Sequence, residues 1–310
     1  MTTLDKISQD LRDLLSSISD PEIKEAVAKD FISFIDTLEP KGKADYINQM
    51  LKGDCLEVMK GIPGGSVDMI LCDLPYGTTA CKWDTIIPFE PLWEQYKRVI
   101  KSNGAIVLTA SQPFSSHLLL SNDTMFKYEI IWDKQRGTSF ANAKKQPMRS
   151  HESILVFYAK QTTYNPQFWY SKPYKIGKSV RKRVIETLGD RPAGKFRTES
   201  ISEDGRRYPL SILSIPRDSK KVHPTQKPVA LFEYLIKTYT KEGEVVLDNC
   251  SGSGTTAIAA LNTSRKYICI EKDEKYHAIG VNRVKEWFST KGQTSEQVSS
   301  ELEKRVPLIQ

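Results

Sequence analysis

Asp73, Pro75 and Tyr76 lie in the segment Asp73-Leu-Pro-Tyr76, directly after the apolar run Val67-Asp-Met-Ile-Leu-Cys72. The run predicts a buried strand, so these residues are expected at its carboxyl end, the rim where open α/β sheets bind ligands. A carboxylate can accept a hydrogen from a planar amine, and proline fixes the chain so that a nearby carbonyl can accept another. A tyrosine ring offers a stacking face. The set suits activation of a weakly nucleophilic amine, although alone it would equally fit an ordinary turn after a strand.

A second candidate site surrounds the glycine turn in Val245-Val-Leu-Asp-Asn-Cys-Ser-Gly-Ser-Gly-Thr-Thr256. This stretch predicts a strand ending at Asp248, a turn through Gly252 and Gly254, and a helix start with free amide donors. Glu271 ends another predicted strand 17 residues after Gly254, where a carboxylate can bind the two hydroxyls of a ribose. The parts predict an adenosine-binding site. Because Gly252-x-Gly-x-x-Ala also fits the dinucleotide fingerprint, a nicotinamide-dependent dehydrogenase stays open here, whereas a P-loop is excluded.

The rest of the chain alternates short apolar runs with amphipathic stretches. The predicted strands are 67–72, 104–109, 128–132, 153–158, 244–248 and 266–271, and the predicted helices are 90–101, 228–241, 255–262 and 274–288. This alternation predicts an α/β fold with a doubly wound, mostly parallel, Rossmann-like sheet. No run of about 18 apolar residues exists, so no membrane span is expected.

The basic excess of the chain is concentrated in one segment. Residues 172–221 hold 14 Lys/Arg and 6 Asp/Glu, whereas the remaining residues hold 31 and 32, respectively. Clustered cations of this kind favour a polyanionic partner such as nucleic acid, with a solvated basic loop as the alternative. The candidate contact residues are Arg181, Lys182, Arg183, Arg206 and Arg207.

Three motifs together identify a family. Asp73-Leu-Pro-Tyr76 resembles the Asp-Pro-Pro-Tyr motif of amino-group DNA methyltransferases, and Asp248–Thr256 resembles their methionine-side cofactor loop. His223-Pro-Thr-Gln-Lys-Pro228 resembles the segment that precedes that loop. The motif order resembles the β-type permutation of the family, and the resemblance covers residues 46–290.

The resemblance implies roles for individual residues. Asp73 and the Pro75 region would accept from the target amine, while Tyr76 would stack on a base flipped out of the duplex. The methyl donor would be S-adenosylmethionine, with no metal. Its expected contacts are Asp54 at the adenine, Thr225 and Lys227 near the methionine carboxylate, Glu271 at the ribose, and Asp248, Gly252, Ser253, Gly254 and Thr255 along the loop. Leu74 stands where the family usually has the first proline of its motif, and Asn249-Cys250 stand where Pro-Phe is usual. The second departure leaves cofactor affinity open.

The expected organisation is an N-terminal helical hairpin (1–45), a catalytic half (46–159), an inserted target-recognition region (160–222), a cofactor-binding half (223–290) and a flexible tail (291–310). Double-stranded DNA is the expected substrate, and Asp73 favours adenine N6 because the cytosine enzymes of the family more often carry serine there. Cytosine N4 is the alternative, followed by RNA or protein-glutamine methylation. A cytoplasmic protein of bacterial or phage origin is expected, whereas self-association and a companion restriction endonuclease stay open.

Overall fold

The described part of the computed structural model comprises residues 46–79, 84–138, 140–176, 200–202, 204–218 and 226–290. The predicted hairpin 1–45, the tail 291–310, and the candidates Arg181, Lys182, Arg183 and Thr225 lie outside the described residues.

The central sheet has the strand order β1-β12-β11-β2-β3-β5-β4-β10. Neighbouring strands are parallel except that β5 runs antiparallel to both β3 and β4. The prediction of a mostly parallel α/β sheet is therefore confirmed. The strands are β1 (Gln49–Lys52), β2 (Val67–Asp73), β3 (Ile100–Ala110), β4 (Phe126–Thr138), β5 (Arg149–Phe157), β6 (Trp169–Tyr170), β7 (Tyr174–Ile176), β8 (Ser200–Ser202), β9 (Arg206–Arg207), β10 (Ile212–Ser214), β11 (Val245–Asp248) and β12 (Lys266–Glu271).

Helices cover both faces of this sheet. They are α1 (Cys55–Gly61), α2 (Phe89–Val99), α3 (Phe114–Leu120), α4 (Val229–Tyr239), α5 (Thr255–Asn262) and α6 (Glu274–Thr290). Successive side chains of β2 point to opposite faces, so Leu71 packs in the core beneath α4, α5 and α6, and Ile70 packs in the core beneath α1, α2 and α3. Burial on both faces explains why β2 is a nearly continuous apolar run.

The segment between β5 and α4 forms short strands in addition to the irregular chain expected there. β6 pairs with β9, and β7 pairs with β8, as two small antiparallel ribbons. β10 joins the central sheet beside β4, with Ile212 opposite Ile131. The last strand of this segment is thus part of the main sheet. No helix among the described residues combines the length and the apolar character that a membrane crossing requires.

Candidate active site

A cavity of about 940 Å³ lies along the carboxyl ends of β1, β12, β11 and β2. The structure brings ten of the residues singled out in the sequence to its wall: Asp54, Asp73, Pro75, Tyr76, Lys227, Asp248, Gly252, Ser253, Thr255 and Glu271. Its size is at the upper end of the range of about 300–1,000 Å³ that small-molecule sites occupy. The cavity therefore has room for a cofactor-sized molecule next to the Asp73 motif.

Asp73 is held by hydrogen-bond donors from three parts of the chain. The Tyr76 hydroxyl lies 2.7 Å from Oδ1, and the Thr109 hydroxyl at the end of β3 also donates to Oδ1. Lys227 Nζ lies 2.7 Å from Oδ2. Thr109 was not among the predicted site residues, although its place at the end of a predicted strand is a usable signal.

The structure places Lys227 against Asp73, whereas the resemblance put it near the methionine carboxylate. Its ammonium is buried and also lies 3.1 Å from Glu152 Oε2. Burial lowers the pKa of Lys227, but the two carboxylates more than offset this and hold the pKa above its usual value. Lys227 is thus protonated and positively charged beside Asp73.

Tyr76 is fixed by its ring as well as by its hydroxyl. The ring stacks on Phe114 of α3 with a centroid distance of 5.2 Å and an interplanar angle of 27°. Burial, together with the charge of Asp73, raises the pKa of Tyr76 well above its ordinary value. The hydroxyl therefore stays protonated and acts as a donor to Asp73.

Asp84 organises the turn that follows Tyr76. Its carboxylate accepts the backbone N–H groups of Gly77, Thr78 and Thr79 at 2.9, 2.9 and 2.7 Å. Burial raises the pKa of Asp84, but a hydrogen bond from the Thr79 side chain and these backbone hydrogen bonds more than offset this and lower the pKa below its usual value. Nothing in the sequence pattern singled out Asp84.

The two glycines of the loop after β11 serve different purposes. Gly252 has φ +52°, and a Cβ added there would meet open space, so its backbone can approach a ligand in the cavity. Gly254 has φ +78° and is absent from the cavity wall; a Cβ there would lie 3.1 Å from the Cα of Gly280 in α6. Gly254 is therefore a packing and turn position between α5 and α6.

The loop is also held by an arginine that sequence patterns did not reveal. Arg283 of α6 donates to the backbone carbonyl of Ser253 at 2.7 Å and to its hydroxyl at 3.1 Å. It also lies 3.5 Å from the Thr255 hydroxyl. Burial lowers the pKa of Arg283. These contacts fix the start of α5 at the cavity.

Two carboxylates at strand ends tie the loop to the sheet. Glu271 accepts from Gly252 N–H at 2.7 Å and from Asp273 N–H at 2.8 Å, while burial raises its pKa. Asp248 is buried and accepts from Cys250 N–H at 3.0 Å and from the Thr256 hydroxyl. Burial raises the pKa of Asp248 to about 7.

Asp54 both lines the cavity and caps α1. Its Oδ1 accepts from Leu56 N–H at 3.0 Å, and its Oδ2 lies 3.0 Å from Lys272 Nζ. Burial raises the pKa of Asp54, but the hydrogen bonds and the charge of Lys272 bring it below its usual value. The capping role expected of a turn aspartate and the cavity position expected from the resemblance coincide at this residue.

The ribbon of β6 and β9 carries the described candidates for nucleic-acid contact. Arg206 is exposed and its guanidinium lies 4.7 Å from the Phe168 ring centroid, while Arg207 donates to the Lys172 carbonyl at 2.6 Å. Trp169 and Tyr170 on the facing strand are also exposed. Arg206 pairs with Tyr170 and Arg207 pairs with Trp169, so each basic side chain has an aromatic neighbour across the ribbon.

The described residues contain no group of three or more His, Cys, Asp or Glu side chains able to hold a metal ion. The cysteines among them, Cys55, Cys72, Cys250 and Cys269, are free thiols.

Comparison with known proteins assigns the family. Residues 67–282 match the N6_N4_Mtase family of DNA methylases. The chain is 29% identical over 276 residues to the type II methyltransferase M.HinfI of Haemophilus influenzae, covering 78% of this chain and 69% of that protein. It is also 29% identical over 265 residues to the DNA adenine methyltransferase YhdJ of Escherichia coli (strain K12), covering 79% and 85%.

Solved structures share the fold. The M1.HpyAVI–SAM complex aligns with a TM-score of 0.51 and 24% identity, covering 76% of this chain and 98% of that one. The cytosine-N4-specific PvuII DNA methyltransferase aligns with a TM-score of 0.53 and 16% identity, covering 81% and 89%. The family match spans more than half of the chain and includes both the Asp73 motif and the glycine loop, which removes the dehydrogenase alternative. This chain therefore belongs to the S-adenosylmethionine-dependent amino-group (N6/N4) DNA methyltransferases.

Proposed function

We propose that this chain transfers a methyl group from S-adenosylmethionine to the N6 amine of adenine in double-stranded DNA. The observation that carries the proposal is the Asp73 carboxylate, held by Tyr76, Thr109 and Lys227 at the wall of a cofactor-sized cavity. The glycine loop at Gly252 forms another part of the same wall.

The part of the cavity at β1, β11 and β12 fits the cofactor. Glu271 keeps acceptor capacity for ribose hydroxyls, because its backbone hydrogen bonds leave part of the about four lone-pair positions of a carboxylate free. Gly252 leaves open space where its side chain would be, and Asp54 lies at the end of β1. Asp248, Ser253, Thr255 and, outside the described residues, Thr225 complete the proposed contacts. When bound, S-adenosylmethionine supplies an electrophilic methyl group on its sulfonium.

Asp73 is suited to activate the target amine. A carboxylate offers about four lone-pair positions, and Tyr76, Thr109 and Lys227 occupy three of them. The remaining position can accept one hydrogen of the amine, which shifts electron density onto its nitrogen and orients the lone pair. The Pro75 carbonyl is the proposed acceptor of the second hydrogen. Tyr76, locked by Phe114 and Asp73, is the proposed stacking partner of the flipped base.

Adenine is the proposed base because an aspartate stands at position 73, where the cytosine enzymes of the family more often carry serine. The relative YhdJ is named a DNA adenine methyltransferase, whereas the structural neighbour PvuII is named cytosine-N4-specific. Adenine thus has the support of the motif and of the relative with higher sequence identity.

The surface of the β6–β9 ribbon is the proposed DNA contact, through Arg206, Arg207 and the exposed rings of Trp169 and Tyr170. Arg181, Lys182 and Arg183 are proposed contacts outside the described residues. A companion restriction endonuclease, which the type II name of M.HinfI suggests, and a homodimer stay predictions.

The direct test is to incubate the protein with unmethylated bacterial DNA and deuterated-methyl S-adenosylmethionine, then to digest the DNA and analyse nucleosides by mass spectrometry. We expect labelled N6-methyldeoxyadenosine. Labelled N4-methyldeoxycytidine would contradict the base assignment while retaining the reaction. No labelled nucleoside from DNA, together with label in RNA or protein supplied to parallel reactions, would contradict the proposed substrate.

A further inference from the structure

Four charged side chains of alternating sign adjoin one another at the catalytic motif: Asp73, Lys227, Glu152 and Lys134. Lys227 Nζ lies 2.7 Å from Asp73 Oδ2 and 3.1 Å from Glu152 Oε2. Lys134 Nζ lies 3.3 Å from Glu152 Oε1. All four side chains line the cavity, and the two lysine side chains are only 5% and 7% exposed.

Burying these charges is costly, and buried ion pairs are often no more stabilising than apolar side chains of the same shape. Burial raises the pKa of Glu152, but the ammonium groups of Lys227 and Lys134 more than offset this and lower the pKa below its usual value. Glu152 is therefore ionised at neutral pH. An ionised side chain kept at the wall of a reaction cavity at such a cost points to a role in the reaction.

Glu152 reaches the catalytic motif through Lys227. It lies on β5 opposite Trp132 of β4, and its Oε2 forms an ion pair with the Lys227 ammonium at 3.1 Å. Its Oε1 accepts from Lys134. Glu152 thus holds one ammonium on each oxygen, and one of these two ammonium groups is the cation bound to Asp73.

We propose that Glu152 is a positioning residue for methyl transfer, which fixes the Lys227 ammonium at Asp73 and shares its charge. The inference rests on the proposed function, in which Asp73 accepts a hydrogen from the target amine.

The physical reason is a balance of charge at the acceptor. An ammonium that faced Asp73 alone would direct its whole charge at the carboxylate that must accept a hydrogen from the target amine. The Glu152 carboxylate attracts the same ammonium, which weakens the interaction of Lys227 with Asp73 and restrains the flexible lysine side chain. Loss of this restraint would let Asp73 and Lys227 shift together, and a displacement of about 1 Å in a catalytic group can cost about a hundredfold in rate.

The main test is the Glu152→Gln variant, which keeps the size of the side chain and removes its charge. We expect kcat to fall by about tenfold to a hundredfold. The KM for DNA and the Kd for S-adenosylmethionine should stay within about twofold, since both oxygens of Glu152 already face lysine ammonium groups. Glu129→Gln, an exposed glutamate on β4, is the matched control and should keep the wild-type kcat. A wild-type kcat in Glu152→Gln would overturn the inference.

A second variant protects the test against misfolding. Lys134→Met/Glu152→Gln removes one buried charge of each sign, so that no buried ammonium loses its only counter-charge. It should bind S-adenosylmethionine with the wild-type Kd and keep the low kcat of Glu152→Gln. Recovery of the wild-type kcat in this variant would show that the unpaired Lys134, not the Lys227 contact, caused the loss, and would overturn the inference.

A double-mutant cycle tests whether Glu152 acts through Lys227. In a Lys227→Met background, Glu152→Gln should lower the single-turnover rate by less than about twofold, because the link to Asp73 is already broken. Losses that multiply would overturn the proposed path. DNA methylation by the wild type separates failure of this inference from failure of the proposed function. A wild type that methylates no DNA refutes the proposed function. An active wild type with variants of unchanged kcat refutes only the role of Glu152.

Discussion

Asp248 gives a prediction for which sign and size follow from the structure. The carboxylate is buried at the end of β11 and accepts hydrogen bonds from Cys250 N–H and from the Thr256 hydroxyl. Burial, which disfavours the charged form, raises its pKa from 3.8 to about 7. Asp248→Asn keeps the shape of the side chain and cannot ionise.

The direction follows from proton binding. Because the folded-state pKa lies above the unfolded value, the stabilising contribution of Asp248 is full below the unfolded pKa and is lost as the pH rises through the folded one. Each pKa unit is worth about 1.4 kcal/mol. Between pH 5 and the folded-state pKa of about 7, the carboxyl is ionised in the unfolded protein and still protonated in the folded one. From pH 5 to pH 8 this difference in proton binding should lower the free energy of unfolding by about 2.5 kcal/mol.

Urea unfolding of the wild type and of Asp248→Asn, at pH 5 and at pH 8, measures this contribution. Ordinary carboxylates are already ionised in this window and the histidines are common to both proteins, so the difference between the two slopes isolates Asp248. Asp123→Asn, an exposed carboxylate after α3, is the control and should follow the wild type. Parallel losses in the wild type and Asp248→Asn would refute the raised pKa.

The remaining predictions concern the loop, the acceptor and the DNA surface. Gly252→Ala should weaken S-adenosylmethionine binding by at least about tenfold in calorimetry and lower the free energy of unfolding by about 1–2 kcal/mol for its left-handed φ. Gly254→Ala should lower the free energy of unfolding by about 2–4 kcal/mol, because a left-handed φ and the contact with α6 both penalise a side chain. Equal effects at the two sites would contradict this division. Asp73→Ala should lower kcat at least about a hundredfold with cofactor affinity unchanged, and a tenth of the wild-type turnover would remove Asp73 from the mechanism. Arg206→Gln/Arg207→Gln should flatten the log–log salt slope of DNA binding by about 0.9 per lost phosphate contact, and an unchanged slope would return the ribbon to a solvated surface.

The sequence predicted the central strands because their residues are buried on both faces and therefore form short apolar runs. The predicted strand 266–271 coincides with β12, and the predicted helices 90–101 and 228–241 agree with α2 and α4 within two residues. The helices α1 and α3 were missed. Each has seven residues, too few for helical periodicity to show against the background of the neighbouring strands.

The site was harder to predict where it depends on packing between distant segments. Motifs located Asp73 and Lys227, but 154 positions separate them, and no local pattern indicates that they form an ion pair. Gly254 shows a different difficulty. It fits the cofactor motif, but in the structure it packs against Gly280 of α6. A glycine motif indicates that a side chain is excluded at a position, but it does not indicate whether a ligand or another part of the protein excludes it.

The order of strands explains how the two halves of the cavity work together. Asp73, Asp248 and Glu271 end β2, β11 and β12, which are neighbours in the sheet although the insertion separates the first from the other two along the chain. Parallel strands bring their carboxyl ends to one edge of the sheet. The site therefore depends on which strands are adjacent in the sheet and not on the order of the motifs along the chain. The insertion leaves after β5 and returns through β10 beside β4, at the side of the sheet opposite β1. The proposed DNA-contacting segment is thereby joined to the strands that carry Lys134 and Glu152, while the proposed cofactor contacts at β1 and β12 stay at a distance from it. We therefore expect changes in the proposed DNA-contacting segment to alter DNA binding while the cofactor end of the cavity keeps its structure.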